Sequence, residues 1–338
     1  MATASPTSQE FSPLTYEQYF DHSEVVDILG SGFQVYSSNF VTNENIDEIF
    51  FFIHGAAFSA LSFALCSKEL VELSEGKSAV IAADLRGHGH SSSNNDTDIS
   101  IDVLTSDLDS ILKHLYQDRS LGPHRMFLVG HSLGGSVATH LCNTITHDPD
   151  SKINVCGLAL IDCIEETALR SLENADLALR SMPPRFESPN HAIAYMHCTN
   201  QIKNIEVFQI MSDLLSPIHI SPYFPFLAPF HQSCRVSVPP RIVRETPQGQ
   251  WVWRTDLLAS KKHWNNWFLG FTDIFLAQTC PKLLCVSNAS LLDTPMTIAQ
   301  MQGKFEFRCL PHCGHHIHED DPREVARMLL LFSTHMGR

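Results

Sequence analysis

The sequence predicts an α/β fold with a mostly parallel central sheet and helices on both faces, and three observations carry that prediction. First, apolar β-rich runs at 49–53, 79–83, 126–129 and 155–161 alternate with helical patterns. The clearest of these is 101–115, where Ile101, Leu104, Leu108, Ile111, Leu112 and Leu115 recur at helical spacing. Such alternation implies parallel strands joined by crossover helices. Second, Gly130-His131-Ser132-Leu133-Gly134-Gly135 stands between a strand-like run and a helix-like stretch from Ser136 through Leu141. Third, the 49–53 run leads into His54-Gly55-Ala56-Ala57, and the 79–83 run into the polar loop Asp84-Leu85-Arg86-Gly87-His88-Gly89-His90-Ser91.

In chain order, residues 1–22 read as an extended lead-in anchored by Phe11, Tyr16, Tyr19 and Phe20. Short strands around 24–29 and 33–36 form a hairpin across Gly30-Ser31-Gly32. The core strands and the 101–115 helix follow, and the alternation breaks after Glu165. Residues 166–280 read as a helical and loop insertion, a lid placed before the penultimate strand, with helical pieces at 167–178, 192–200 and 204–214. Pro217, Pro222, Pro225, Pro229, Pro239, Pro240 and Pro247 argue against regular helix or central strand, so 217–247 is expected to be a proline-rich loop. The aromatics Trp251, Trp253, Trp264, Trp267, Phe268, Phe271 and Phe275 either pack the insertion onto the core or form a substrate wall. A strand at 281–286 and a last strand at 304–310 resume the core. The final helix has Asp321 as N-cap, Pro322 at its first position and Glu324 three after the cap. Residues 1–165 and 281–338 thus form the core, and 166–280 the insertion.

The chain of 338 residues, 43% hydrophobic, suits one domain with an insertion. Its net charge of −14 argues against nucleic acid and anionic membranes as partners. No run approaches the roughly 18 apolar residues of a membrane helix. The first residues lack the basic and apolar regions of a secretory signal, so a cytoplasmic or nuclear location is expected, not secretion. On that basis the sequons at Asn95 and Asn288 carry no meaning, and the ten cysteines read as reduced thiols.

The hexapeptide fits a serine nucleophile. In a G-x-S-x-G elbow, glycines let strand and helix crowd together while the serine sits exposed on a strained turn. An ordinary strand-to-helix turn is the plain alternative, and the upstream His-Gly step outweighs it. There, α/β-hydrolases place the second half of the oxyanion hole, the other half coming from the residue after the nucleophile. Backbone N–H groups of Leu133 and of Ala56 or Ala57 are the candidate donors. A serine needs a base oriented by an acid, in the chain order Ser, acid, His. His315 is the candidate base, because Gly314-His315 follows the last strand and precedes the last helix. His312, His316 and His318 read as solvated loop histidines. Cys309, Cys313, His315 and His318 also resemble zinc spacing, but Cys309 falls in a strand and the elbow already requires the histidine, so no metal is expected. Asp162 and Asp293 both follow core strands, and topology alone leans slightly to Asp293.

The chain resembles the protein phosphatase methylesterase family, α/β-hydrolases that remove the methyl ester from the C-terminal leucine of the protein phosphatase 2A catalytic subunit. The resemblance runs over most of the chain. It rests on Phe11-Ser12-Pro13, His54-Gly55 with Ser59-Ala60-Leu61-Ser62, Asp84-Leu85-Arg86, Gly130-His131-Ser132 and Ile161-Asp162 with Glu165-x-Thr167-Ala168. Its most distinctive blocks are Ile298-x-Gln300-Met301-Gln302-Gly303-Lys304-Phe305 and Cys313-Gly314-His315 with His318-Glu319-Asp320. The resemblance implies a Ser132–His315–Asp162 triad, which moves the acid to Asp162 and leaves Asp293 as the alternative. It implies no cofactor, and a phosphatase partner engaged through its C-terminal tail and its body. Candidate substrate contacts are His54, Trp264, Trp267 and Phe268. Two departures stand out: Ala56-Ala57 replace glycines usual in the family, and the 217–247 segment replaces an acidic insertion. The competing readings are a serine hydrolase of small esters and a non-catalytic phosphatase-binding module.

Overall fold

The computed structural model describes residues 11–41, 46–118, 124–200, 228–245 and 249–335. Its eight-stranded sheet runs in the order β1-β2-β4-β3-β5-β6-β10-β11. The strands are β1 (His22–Ile28), β2 (Ser31–Ser38), β3 (Glu48–Ile53), β4 (Ser78–Ala83), β5 (Arg125–His131), β6 (Asn154–Ile161), β10 (Lys282–Val286) and β11 (Glu306–Cys309). β1 and β2 are antiparallel, as is β2 with β4, and every pairing from β4 to β11 is parallel.

β3 shows why the sheet is covered on both sides. All six of its residues are buried. Ile49, Phe51 and Ile53 join the apolar cluster of helices α2 (Ile101–Asp118) and α3 (Leu133–His147). Phe50 and Phe52 point the other way, into the cluster of α1 (Ala64–Leu73) and the Pro322–His335 helix. The period-2 alternation of a strand thus feeds two cores, and a continuous apolar run is what such a strand requires. Asp321 caps the last helix, its Oδ1 accepting the Glu324 N–H at 3.1 Å. Among the described residues, no helix is long and apolar enough to cross a membrane, and no cysteine is in a disulfide.

Between β6 and β10 the chain forms α4 (Glu165–Ser181), α5 (Pro189–Asn200) and a small antiparallel sheet in the order β7-β9-β8. β7 is Arg185–Phe186, β8 Ile242–Arg244 and β9 Trp251–Trp253. The helical piece expected at 204–214 lies outside the described residues. Part of the proline-rich stretch is regular, contrary to expectation: Ala228–Ser237 is a helix. Pro229 sits in its first turn, where a missing N–H leaves no intrahelical bond unmade, while Pro239 and Pro240 follow its end. β8 is an edge strand, the sheet position compatible with flanking prolines.

Candidate active site

The elbow forms where β5 ends at His131 and α3 begins at Leu133. Ser132 sits between them at φ 52° and ψ −122°, a backbone conformation that L-residues adopt only under constraint. The constraint is close packing. A Cβ on Gly130 would lie 2.1 Å from the Gly134 carbonyl oxygen, and one on Gly134 would lie 2.2 Å from that of Ile53. Glycine is therefore obligatory at both positions.

Three more strand ends deliver groups to the same place. His315 follows β11, and its Nδ1 lies 2.8 Å from Asp162 Oδ2, just beyond β6. Asp162 Oδ1 accepts the Ser287 N–H at 2.9 Å and the Ser287 hydroxyl at 3.2 Å, just beyond β10. Burial raises the Asp162 pKa, but its hydrogen bond to His315, that ring's charge and the Ser287 N–H outweigh this and hold it below the usual carboxylate range. Ser132, Asp162 and His315 line one cavity of about 290 Å³. Its wall is apolar, formed by Ile164, Ala168, Leu172, Trp267, Phe268 and Leu291. Ala56 and Leu133 also line it, and no acceptor for either N–H is found among the described residues.

Asp293 has a different task. Its side chain caps the Thr294–Met301 helix, Oδ1 accepting the Met296 N–H at 2.9 Å. Asp293→Ala is expected to lower the unfolding free energy by about 1 kcal/mol and to leave kcat within about twofold. Thermal unfolding with parallel kinetics checks this, and a large loss of kcat would reassign the acid.

Three other expected site residues are engaged elsewhere. The Ala57 N–H donates to His88 Nε2 at 3.1 Å, so it has an acceptor already and Ala56 is the remaining candidate donor on that loop. His54 is fully buried away from the cavity. Its Nδ1–H donates to the Gly55 carbonyl at 2.8 Å, and its Nε2 accepts the Leu85 N–H at 3.0 Å. Trp264 packs in the core, donating from Nε1 to Ser260 Oγ, and does not line the cavity; Trp267 and Phe268 do. The zinc-like quartet does not gather. Among the described residues no group of three His, Cys, Asp or Glu could hold a metal.

The loop after β11 departs from expectation as well. His312 is exposed, but His316 is half-buried with its ring edge-on to Phe58, and His318 is fully buried and stacked on Phe63. His131, a variable letter of the elbow motif, is fully buried, and its Nε2–H donates to the His315 carbonyl at 2.9 Å. Ser287 was also missed, because a serine after a strand has no distinguishing signal. Burial drives the pKa of His54, His316 and His318 well down, that of His88 to about 4 and that of His131 to about 3. These bases have folded values below their unfolded ones. The stability they allow is present above an unfolded value of about 6.5 and is lost as pH falls below it, by up to about 1.4 kcal/mol per pH unit for each histidine. Thermal unfolding from pH 7.5 to 5 should show a steep fall in Tm below pH 6.5; a flat Tm would mean the histidines are solvated.

The chain matches the alpha/beta hydrolase family model over residues 50–328. It is 30% identical to protein phosphatase methylesterase 1 of Bos taurus, an alignment covering 96% of this chain and 86% of the relative. It is 32% identical to the protein of the same name from Schizosaccharomyces pombe, covering 82% and 72%. Among solved structures it is similar to E-2-(acetamidomethylene)succinate hydrolase, with TM-score 0.64, 19% identity and coverage of 93% and 99%. That likeness is one of fold.

Proposed function

Because the chain belongs to the protein phosphatase methylesterase family of α/β hydrolases, we propose that it is a serine carboxylesterase that demethylates the C-terminal leucine of a protein phosphatase 2A catalytic subunit. The observation that carries this reading is the His315–Asp162 pair facing the cavity that Ser132 lines.

His315 Nε2 takes the Ser132 hydroxyl proton as Oγ attacks the ester carbonyl carbon, while Asp162 holds Nδ1–H and so fixes the tautomer. The carbonyl oxygen becomes an oxyanion held by the Ala56 and Leu133 N–H groups, each contributing on the order of 3 kcal/mol. As the tetrahedral intermediate collapses, the C–O bond to methoxide breaks, His315 returns the proton and methanol leaves. Water then attacks the acyl-enzyme, giving its proton to the same Nε2, and the free carboxylate is released as Ser132 recovers its proton. The apolar wall suits a leucine side chain, and among the described residues neither Lys nor Arg lines the cavity to retain the carboxylate product.

The test is incubation with carboxymethylated phosphatase catalytic subunit, following release of the methyl group. Demethylation supports the reading. An enzyme that cleaves short esters but leaves the phosphatase methylated is a hydrolase of small esters. A protein that binds the phosphatase with neither ester cleavage nor fluorophosphonate labelling is a binding module.

A further inference from the structure

The loop that carries Ala56 is an alanine turn in a glycine conformation. The Phe58 N–H donates to the Gly55 carbonyl at 3.2 Å, closing a four-residue turn, and its third residue, Ala57, stands at φ 61°. A turn with positive φ at its third position ordinarily uses glycine, because a Cβ there is strained. Here both polar groups of the Ala57 backbone are pinned from outside the turn. The N–H is held by His88, whose Nδ1–H in turn donates to the Arg86 carbonyl at 2.8 Å. The carbonyl accepts Arg241 Nε–H at 2.7 Å.

Arg241 comes from the insertion, beside the Ala228–Ser237 helix and at the start of β8. It is 6% exposed, an unusual place for a guanidinium. Its Cζ lies 4.1 Å from the Phe58 ring centre. The nearby Glu319, 2% exposed, accepts the Ser233 hydroxyl at 2.8 Å, and its carboxyl favours the guanidinium charge against the burial that opposes it. Glu319 lies four residues after His315, on the loop and short helix that follow the last strand.

We propose that Arg241 is a positioning residue for the oxyanion hole: it holds the Ala57 turn in its left-handed conformation, so that the Ala56 N–H faces the cavity. The insertion thereby completes a site whose reacting groups all come from the core. This rests on the serine-hydrolase reading above but not on the identity of the substrate.

The experiment uses the full chain and p-nitrophenyl acetate, which needs only the serine machinery. Arg241→Gln should lower kcat about ten- to a hundredfold, below the cost of deleting a donor outright, with KM within about threefold. Binding of a trifluoromethyl ketone, whose adduct carries the oxyanion, should weaken by the same factor, and the pH at half-maximal rate should stay unchanged. Adding Ala57→Gly to Arg241→Gln should recover most of the lost kcat, because glycine adopts the turn without a clamp. A folded Arg241→Gln enzyme with wild-type kcat overturns the proposal, as does a loss that Ala57→Gly leaves in place. Where Arg241→Gln does not fold, Arg241→Lys carries the same predictions, since it keeps the charge beside Glu319 and lacks the planar Nε donor. Wild-type enzyme that cleaves the nitrophenyl ester yet leaves the phosphatase methylated overturns the substrate reading alone.

Discussion

Ser132→Ala is expected to lower kcat by about four to six orders of magnitude with the fold intact, the loss seen when a serine nucleophile is removed from a triad that acts as a unit. Ser132 is half-buried at the cavity wall. The strained backbone there is imposed by the Gly130 and Gly134 contacts, not by the hydroxyl, so alanine should keep the elbow. Side-by-side demethylation, with fluorophosphonate labelling and thermal unfolding, measures this. Residual turnover above about one part in a thousand would move the nucleophile elsewhere.

Asp162→Asn is expected to cost about four orders of magnitude in kcat while KM changes little. Asp162 Oδ1 is occupied by the Ser287 N–H and hydroxyl, so in the variant the amide NH₂ falls at the Oδ2 position facing His315. An NH₂ there favours the tautomer with Nδ1 unprotonated, which leaves Nε2 protonated and unable to take the Ser132 proton. A linked change in stability accompanies it. The folded pKa of Asp162 is lowered, so its contribution is present above an unfolded value of about 3.9 and is lost as pH falls through the folded one. The variant should lack that acid-side loss. Steady-state kinetics with urea unfolding at several pH values check both parts, and unchanged kcat in Asp162→Asn would remove the carboxylate from the mechanism.

The elements that sequence pattern revealed are those whose local chemistry agrees with their final surroundings. β3 and β4 are buried on both faces and so are continuous apolar runs. The last helix carries Asp321, Pro322 and Glu324 as its own start signal, and the hydrogen bond from the Glu324 N–H to Asp321 follows. The helix α1 and the β7-β9-β8 sheet gave weaker signals. α1 starts without a side-chain cap, and the small strands are two or three residues long. Such short pieces are held by the apolar cluster around Phe186, Ile193 and Ile242 and not by any periodicity of their own.

The same division runs through the site. The elbow serine and the histidine after the last strand are legible because each needs a particular neighbour, glycine for close packing at 130 and 134 and a strand-to-helix loop at 315. The choice between Asp162 and Asp293 is not legible from topology, since both aspartates follow a core strand; the family resemblance favours Asp162, and the fold sets it against His315 while Asp293 caps a helix. Ala57, His54 and Arg241 lie still further from sequence reasoning. Each has a role set by a hydrogen bond to a residue that is distant in the chain or by burial that no local pattern encodes. The sequence by itself determined the α/β architecture, the strained turn at Ser132 and the chain order of the candidate groups, because glycine sterics and strand periodicity act over a few residues. Only the tertiary structure decided which polar groups remain free to meet a substrate, because a hydrogen bond already made inside the protein removes its donor from the chemistry.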